Sequence, residues 1–180
     1  MPTSYVALLR GINVGKAKRL SMADLRAVLE RLGCDDVATV GVSGNAVFRS
    51  SRTEGAMAAA IEEAIRTELA TDVRVLVRSV DRVREVMAAN PLPDEAARDP
   101  SRFHVSFALD GELDRAALRA VLGADWSPEA LAVGEGVLYL WHPDGMTGSR
   151  LGEALARIPG AGPSTVRNWA TLTKVVAKAV

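Results

Sequence analysis

Eight polar residues carry the chemistry this sequence can offer: Arg10, Asn13, Ser43, Asn45, Ser149, Arg150, Arg167 and Asn168. Arg10 and Arg167 are fork donors that match the geometry of phosphate or carboxylate. Asn13 and Asn45 would orient such a ligand through amide hydrogen bonds. Arg10, Lys16, Lys18 and Arg19 fall within ten residues that contain no acid. These residues point to a small anion (phosphate, nucleotide or carboxylate) bound in a cleft between two halves of the chain. Two other readings stay open. One is nucleic-acid backbone binding by the loop 10–19 together with Arg49 and Arg52, with affinity that falls steeply with salt. The other is purely structural, with the same residues serving as turn formers, caps and inter-domain hydrogen bonds.

Named catalytic motifs fit poorly. The stretch Gly11-Ile12-Asn13-Val14-Gly15-Lys16 has three residues between its glycines, and Ala17 follows the lysine. A Walker loop needs four residues there and Ser or Thr after Lys. Gly41-Val42-Ser43-Gly44-Asn45 has Asn where a nucleophile elbow needs Gly, and a strand rather than a helix is expected next. Asn45 is assigned instead to a left-handed hairpin position. His104 and His142 are the only histidines. His104 alternates with Phe103, Val105 and Phe107, which places it with Ser106 on the less buried face of a sheet. Cys34, His104 and His142 lack any chelating spacing, so neither a metal nor a cofactor is expected. Glu62 with Glu63 and Asp35 with Asp36 are adjacent pairs whose side chains diverge, which is unsuited to paired acid–base work.

The elements that must position these residues follow from hydrophobic spacing. Tyr5–Leu9 reads as a strand and Arg10–Leu20 as a loop. Ser21 starts a helix with Leu25, Val28, Leu29 and Leu32 on one face, stopped by Gly33. Val37–Val42 and Ala46–Ser50 form a hairpin around Ser43-Gly44-Asn45. Thr53 caps a helix carrying Met57, Ile61, Ile65 and Leu69. Val73–Arg78 is a fourth strand, and Asp81 caps a short helix that ends at Asn90-Pro91. The order β-α-β-β-α-β is that of a ferredoxin-like plait. After a linker at 91–101 the order repeats, with strands at Phe103–Leu109, Ala130–Val133, Val137–Trp141 and Ser164–Arg167, helices between them, and a closing helix. The expected fold class is therefore α+β: two tandem ferredoxin-like (βαββαβ) subdomains, 1–90 and 102–180, with a short connecting helix and a C-terminal helix.

Composition narrows the partners. Lys+Arg and Asp+Glu are 22 each in 180 residues, which excludes a polycation of the histone kind. With eight aromatics and no K/R-G-F/Y-G/A-F run in the third strand, base stacking of the RNA-recognition type is disfavoured. No apolar run approaches the roughly 20 residues of a membrane span. The start of the chain has no signal-peptide pattern, and one cysteine cannot form an internal disulfide, so a cytoplasmic protein is expected. Two plaits in one chain can imitate a dimer, so a monomer is expected.

Several motifs together resemble one family. They are Leu8-Leu9-Arg10-Gly11-Ile12-Asn13-Val14-Gly15, Thr39 with Ser43-Gly44-Asn45 and Phe48, Arg78, Asn90-Pro91, Pro143-Asp144-Gly145 with Ser149-Arg150-Leu151, and Arg167-Asn168-Trp169 with Thr171. The resemblance is to the uncharacterised bacterial family catalogued as domain of unknown function 1697, and it covers essentially the whole chain. It implies a two-part α+β fold with ferredoxin-like halves, and supplies no reaction, substrate or cofactor. Val40, Val42 and Ala170 stand where the family usually has Tyr, Gln and Asn, and Arg150 stands where Lys is usual. A family activity that used those polar side chains would be absent here.

Overall fold

Along Tyr5–Leu9 successive side chains point to opposite faces of the strand, and all five residues are buried. That pattern demands cover on both sides of a sheet. The computed structural model, which describes residues 1–13, 19–158 and 162–179, places strand β1 at Thr3–Arg10 in the middle of an antiparallel sheet. Helix α1 is Met22–Arg31, strand β2 Asp35–Val40, strand β3 Asn45–Ser50, helix α2 Glu54–Leu69 and strand β4 Arg74–Ser79. The strand order is β2-β3-β1-β4. Tyr5 pairs with Phe48 and Ala7 with Ala46, so these residues share one face. They pack with Leu25, Val28 and Leu29 of α1 and Met57, Ile61 and Ile65 of α2. Each fully buried aliphatic side chain of this kind contributes roughly 1.5–3 kcal/mol. Both helices start where their sequences say they should. Ser21 Oγ accepts the Asp24 amide at 3.0 Å and Thr53 Oγ1 the Ala56 amide at 3.3 Å.

Two short helices follow, α3 (Val80–Ala88) and α4 (Pro93–Arg98). The second sheet then repeats the first in order: β5 Phe103–Ala108, α5 Arg115–Leu122, β6 Ala130–Val133, β7 Val137–Trp141, α6 Arg150–Ala156 and β8 Ser164–Asn168, closed by α7 Trp169–Lys178. Its order is β6-β7-β5-β8, again antiparallel. Leu138 and Leu140 pack with Leu118 and Val121 of α5 and Leu151 of α6. On the opposite face, Phe103 meets Trp169 edge-on at 5.4 Å, and Tyr139 donates its hydroxyl to the Val86 carbonyl at 2.6 Å. The whole is an α+β protein with two four-stranded antiparallel sheets and seven helices among the described residues. None of those helices is long and apolar enough to cross a membrane.

The chain divides into two compact units, Met1–Glu85 with Thr173–Val180, and Val86–Leu172. This partition differs from a simple cut near residue 90, because the last residues return to the first unit. Residues 91–101, expected as a linker, contain α4. Its start fits Pro93, which lacks an amide hydrogen that the first helical turn would leave unused. Ser79 rather than Asp81 caps α3, accepting the Arg82 amide at 3.2 Å. His104 and Ser106 lie on the face of Leu138 and Leu140, beneath α5 and α6. With His104 half-buried and Ser106 buried, it is the less buried of the two faces, as expected, although helices cover it. Alternation assigns the two faces, but it cannot say which one the helices cover.

Candidate functional site

Four of the eight singled-out residues gather at one end of the first sheet. Arg10 ends β1 and is exposed; across the strand pair it opposes Arg74, which is held by Glu62 at 3.3 Å. Gly11 and Asn13 take left-handed backbone, φ 66° and 55°, and between them Ile12 turns into the core. Asn13 is the staple of this turn. Its Nδ2 donates to the Leu20 carbonyl at 2.9 Å and the Val42 carbonyl at 2.7 Å, while its Oδ1 accepts the Leu20 amide at 3.0 Å. Residues 13 and 20 are thereby closed into a ring, and both amide hydrogens of Asn13 are used inside the protein. The sequence strung between those pinned ends includes Lys16, Lys18 and Arg19. Residues 14–18, which include Gly15 and both lysines, lie outside the described residues.

The β2–β3 turn meets this end of the sheet through the Leu9 amide, which donates to the Gly44 carbonyl at 2.9 Å. Ser43 is exposed and Asn45 is buried. Asn45 is not left-handed: Gly41 and Gly44 take the positive φ values, 65° and 72°. Asn45 instead starts β3 and donates Nδ2 to the Val40 carbonyl at 3.0 Å, locking the turn from inside. Asn13, Arg19, Leu20 and Ser21 line a recess of about 360 Å³ beside the staple. Arg10 and Arg19 are both exposed, and neither has an acidic partner among the described residues. A larger groove of about 670 Å³ in the same unit includes Arg49 and Lys178 in its wall. There Asp36, 3.5 Å from Arg49, offsets the positive charge.

The other four residues belong to the second unit. Ser149 caps α6, its Oγ accepting the Gly152 amide at 2.8 Å, and it donates to Glu129 Oε1. Arg150 is exposed, with its guanidinium 6.0 Å from the centre of the Trp126 ring. Arg167 is buried and donates Nη1 to Thr165 Oγ1 at 2.9 Å and the Val166 carbonyl at 2.8 Å. Burial pulls its pKa down to about 10, which leaves it cationic at neutral pH. Asn168 Oδ1 accepts the Thr171 amide at 2.8 Å, so it caps the start of α7.

Sequence reasoning overlooked Glu129. Its Oε1 lies 3.1 Å from His142 Nδ1, and its Oε2 accepts the Leu151 amide at 3.0 Å. Burial opposes ionisation of Glu129, but the bonds from Ser149, Leu151 and His142 outweigh that and hold its pKa below the usual carboxylate range. Ser149 Oγ is also 2.9 Å from His142 Nδ1. A Ser–His–acid relay needs the serine and the acid on opposite ring nitrogens. Here both sit on Nδ1, so this is a helix cap and not a triad. The missing signal was register. Ala130 pairs with Trp141, which sets Glu129 beside His142, and nothing in local spacing reports that.

The sheets, their order and these turns define an α+β protein built on two antiparallel units. A model of the family described as "Protein of unknown function (DUF1697)" matches residues 2–139, and the chain belongs to that family. A conserved bacterial protein from Streptococcus pneumoniae, SP0830, aligns over 99% of each chain at 24% identity with a TM-score of 0.80, a likeness of fold. The crystal structure of TA0507, a protein assigned provisionally to the chlorite dismutases, aligns over 99% of each chain at 14% identity. Its TM-score of 0.28 carries no argument. No curated protein matches the chain.

Proposed function

We propose that the end of β1 and the start of α1 bind a small anion, phosphate, nucleotide or carboxylate, with Arg10 and Arg19 as the ligand-facing groups. The observation that carries this reading is the Asn13–Leu20 staple. It holds two exposed arginines, without acidic partners among the described residues, at the two ends of a stretch free of acids. An arginine relieved of an internal carboxylate keeps its fork of donors for a ligand. Asn13 and Asn45 act as positioning residues, because their amides hold the turns. Ser149 and Asn168 are caps in the second unit. We infer further that each unit is a ferredoxin-like plait. The β-α-β-β-α-β order and the strand orders β2-β3-β1-β4 and β6-β7-β5-β8 support it.

A thermal-shift panel of phosphate, nucleotides, organic acids and short RNA tests the proposal on wild type, Arg10→Ala and Arg19→Ala. A ligand at about 100 times its Kd stabilises by roughly 2.7 kcal/mol. For a chain of this size that is a rise of about 5–10 °C. The expected result is a shift from one small anion that either arginine variant, still folded, abolishes. Shifts from RNA alone, vanishing between low and physiological salt, would favour backbone binding instead. No shift from any anion would refute the proposal.

A further inference from the structure

We propose that His104 and His142 in the second unit bind one imidazole-preferring transition ion, with Zn²⁺ as the reference case, through their two Nε2 atoms. The hydrogen bonds decide which nitrogen is available. Glu129 Oε1, 3.1 Å from His142 Nδ1, belongs to a carboxylate that also accepts from Ser149 Oγ and the Leu151 amide, so Nδ1 donates to it and Nε2 carries the lone pair. The Arg102 carbonyl lies 3.1 Å from His104 Nδ1 and also accepts the His142 backbone amide at 3.2 Å. A carbonyl only accepts, so in His104 too the lone pair is on Nε2. Metal-binding histidines are held in this way, with the second nitrogen donating to a carboxylate or a backbone carbonyl.

Burial supplies the independent observation. His142 is completely buried, and its Nε2 is the one fully buried side-chain polar atom without a hydrogen-bond partner among the described residues. Buried polar atoms are rarely left so, and each exception calls for an occupant or a cost. The neighbouring ring is His104. The two are diagonal neighbours on one face of the sheet, since His104 pairs with Leu140, two residues before His142. Their ring centres are 5.5 Å apart at an interplanar angle of 59°. An ion about 2.0–2.1 Å from each nitrogen, with an N–metal–N angle of roughly 110–120°, puts two imidazole centres roughly 5.2–5.5 Å apart. His104 is half-buried.

Imidazole ligands select Zn²⁺, Cu²⁺ or Ni²⁺ over Mg²⁺ and Ca²⁺. The described residues hold no group of three metal-ligating side chains. Water would therefore complete the coordination, and binding should be weaker than in a closed four-ligand site. The test is calorimetric titration of tag-free protein with Zn²⁺ alone, repeated with Mg²⁺. The expected result is saturable binding of one Zn²⁺ per chain and none of Mg²⁺. His104→Gln should weaken it at least about tenfold, and Glu129→Gln by about 10–100-fold through loss of the orienting carboxylate. A readout free of variants is the ring ¹⁵N signals of wild type, where both Nε2 resonances should move together as Zn²⁺ is added. No saturable binding, binding unchanged in folded His104→Gln, or Nε2 signals that stay put while Zn²⁺ binds would each overturn the proposal.

Discussion

Asn13 makes three hydrogen bonds with one side-chain amide, and it does so from a left-handed backbone that alanine adopts only at a cost. Asn13→Ala should therefore destabilise the protein by about 1–3 kcal/mol. Asn13→Gly, which restores the backbone freedom, should recover only the smaller part of that loss. Urea denaturation of the two variants separates the terms, and equal midpoints for Asn13→Gly and wild type would show that the staple contributes nothing. His104 gives a second test at this scale. Its folded pKa of about 4 lies below the ordinary value of 6.5, so the unfolded chain binds more protons between those values. Stability should be fully present above about pH 6.5 and decline as pH falls toward 4, by about 1–2 kcal/mol once solvent screening of a half-buried ring is allowed for. His104→Gln should flatten that part of the profile. Glu129 and Asp99, both with lowered pKa values, add stability that disappears on further acidification through those values.

At the scale of elements, the β2–β3 turn distinguishes two glycines of similar φ. A Cβ on Gly44 would lie 2.6 Å from Ile12 Cδ1 and 2.8 Å from Leu9 Cβ, whereas one on Gly41 would meet nothing within 4 Å. Gly41→Ala should cost only the backbone term, about 1–2 kcal/mol. Gly44→Ala adds overpacking against buried residues and should cost about 1–3 kcal/mol more. Melting curves for the pair check the difference; equal losses would mean that Ile12 yields without cost. This is also the scale at which the sequence was most readable. Short apolar runs located β1, β6 and β7, and helical apolar spacing located α1 and α2, each bounded by a cap or a turn residue. Asn45 misled because Asn tolerates positive φ, yet here the flanking glycines take that backbone and the amide satisfies Val40. His104 does fall on the less buried face, but alternation does not report that helices cover that face too. The Glu129–His142 contact was illegible for a related reason. It arises from strand register, and the two residues are 13 positions apart in the chain.

For the molecule as a whole, the charge balance makes any anion site a local matter. With 22 cations and 22 acids there is no global field to concentrate an anion, so the Arg10–Arg19 end must do it by geometry. The arginines and turn residues of that end were legible in sequence because acids are missing from residues 10–19. The division of labour was not legible, since only the hydrogen bonds show that the asparagines are committed to holding the turns. A phosphate titration followed by backbone amide and arginine Nε signals addresses this assignment most directly. The account predicts saturable shifts with a single Kd confined to Arg10, Gly11, Asn13 and Arg19–Ser21, with Arg167 unmoved. Shifts centred on Arg167, or no saturable shift at Arg10 and Arg19, would contradict it.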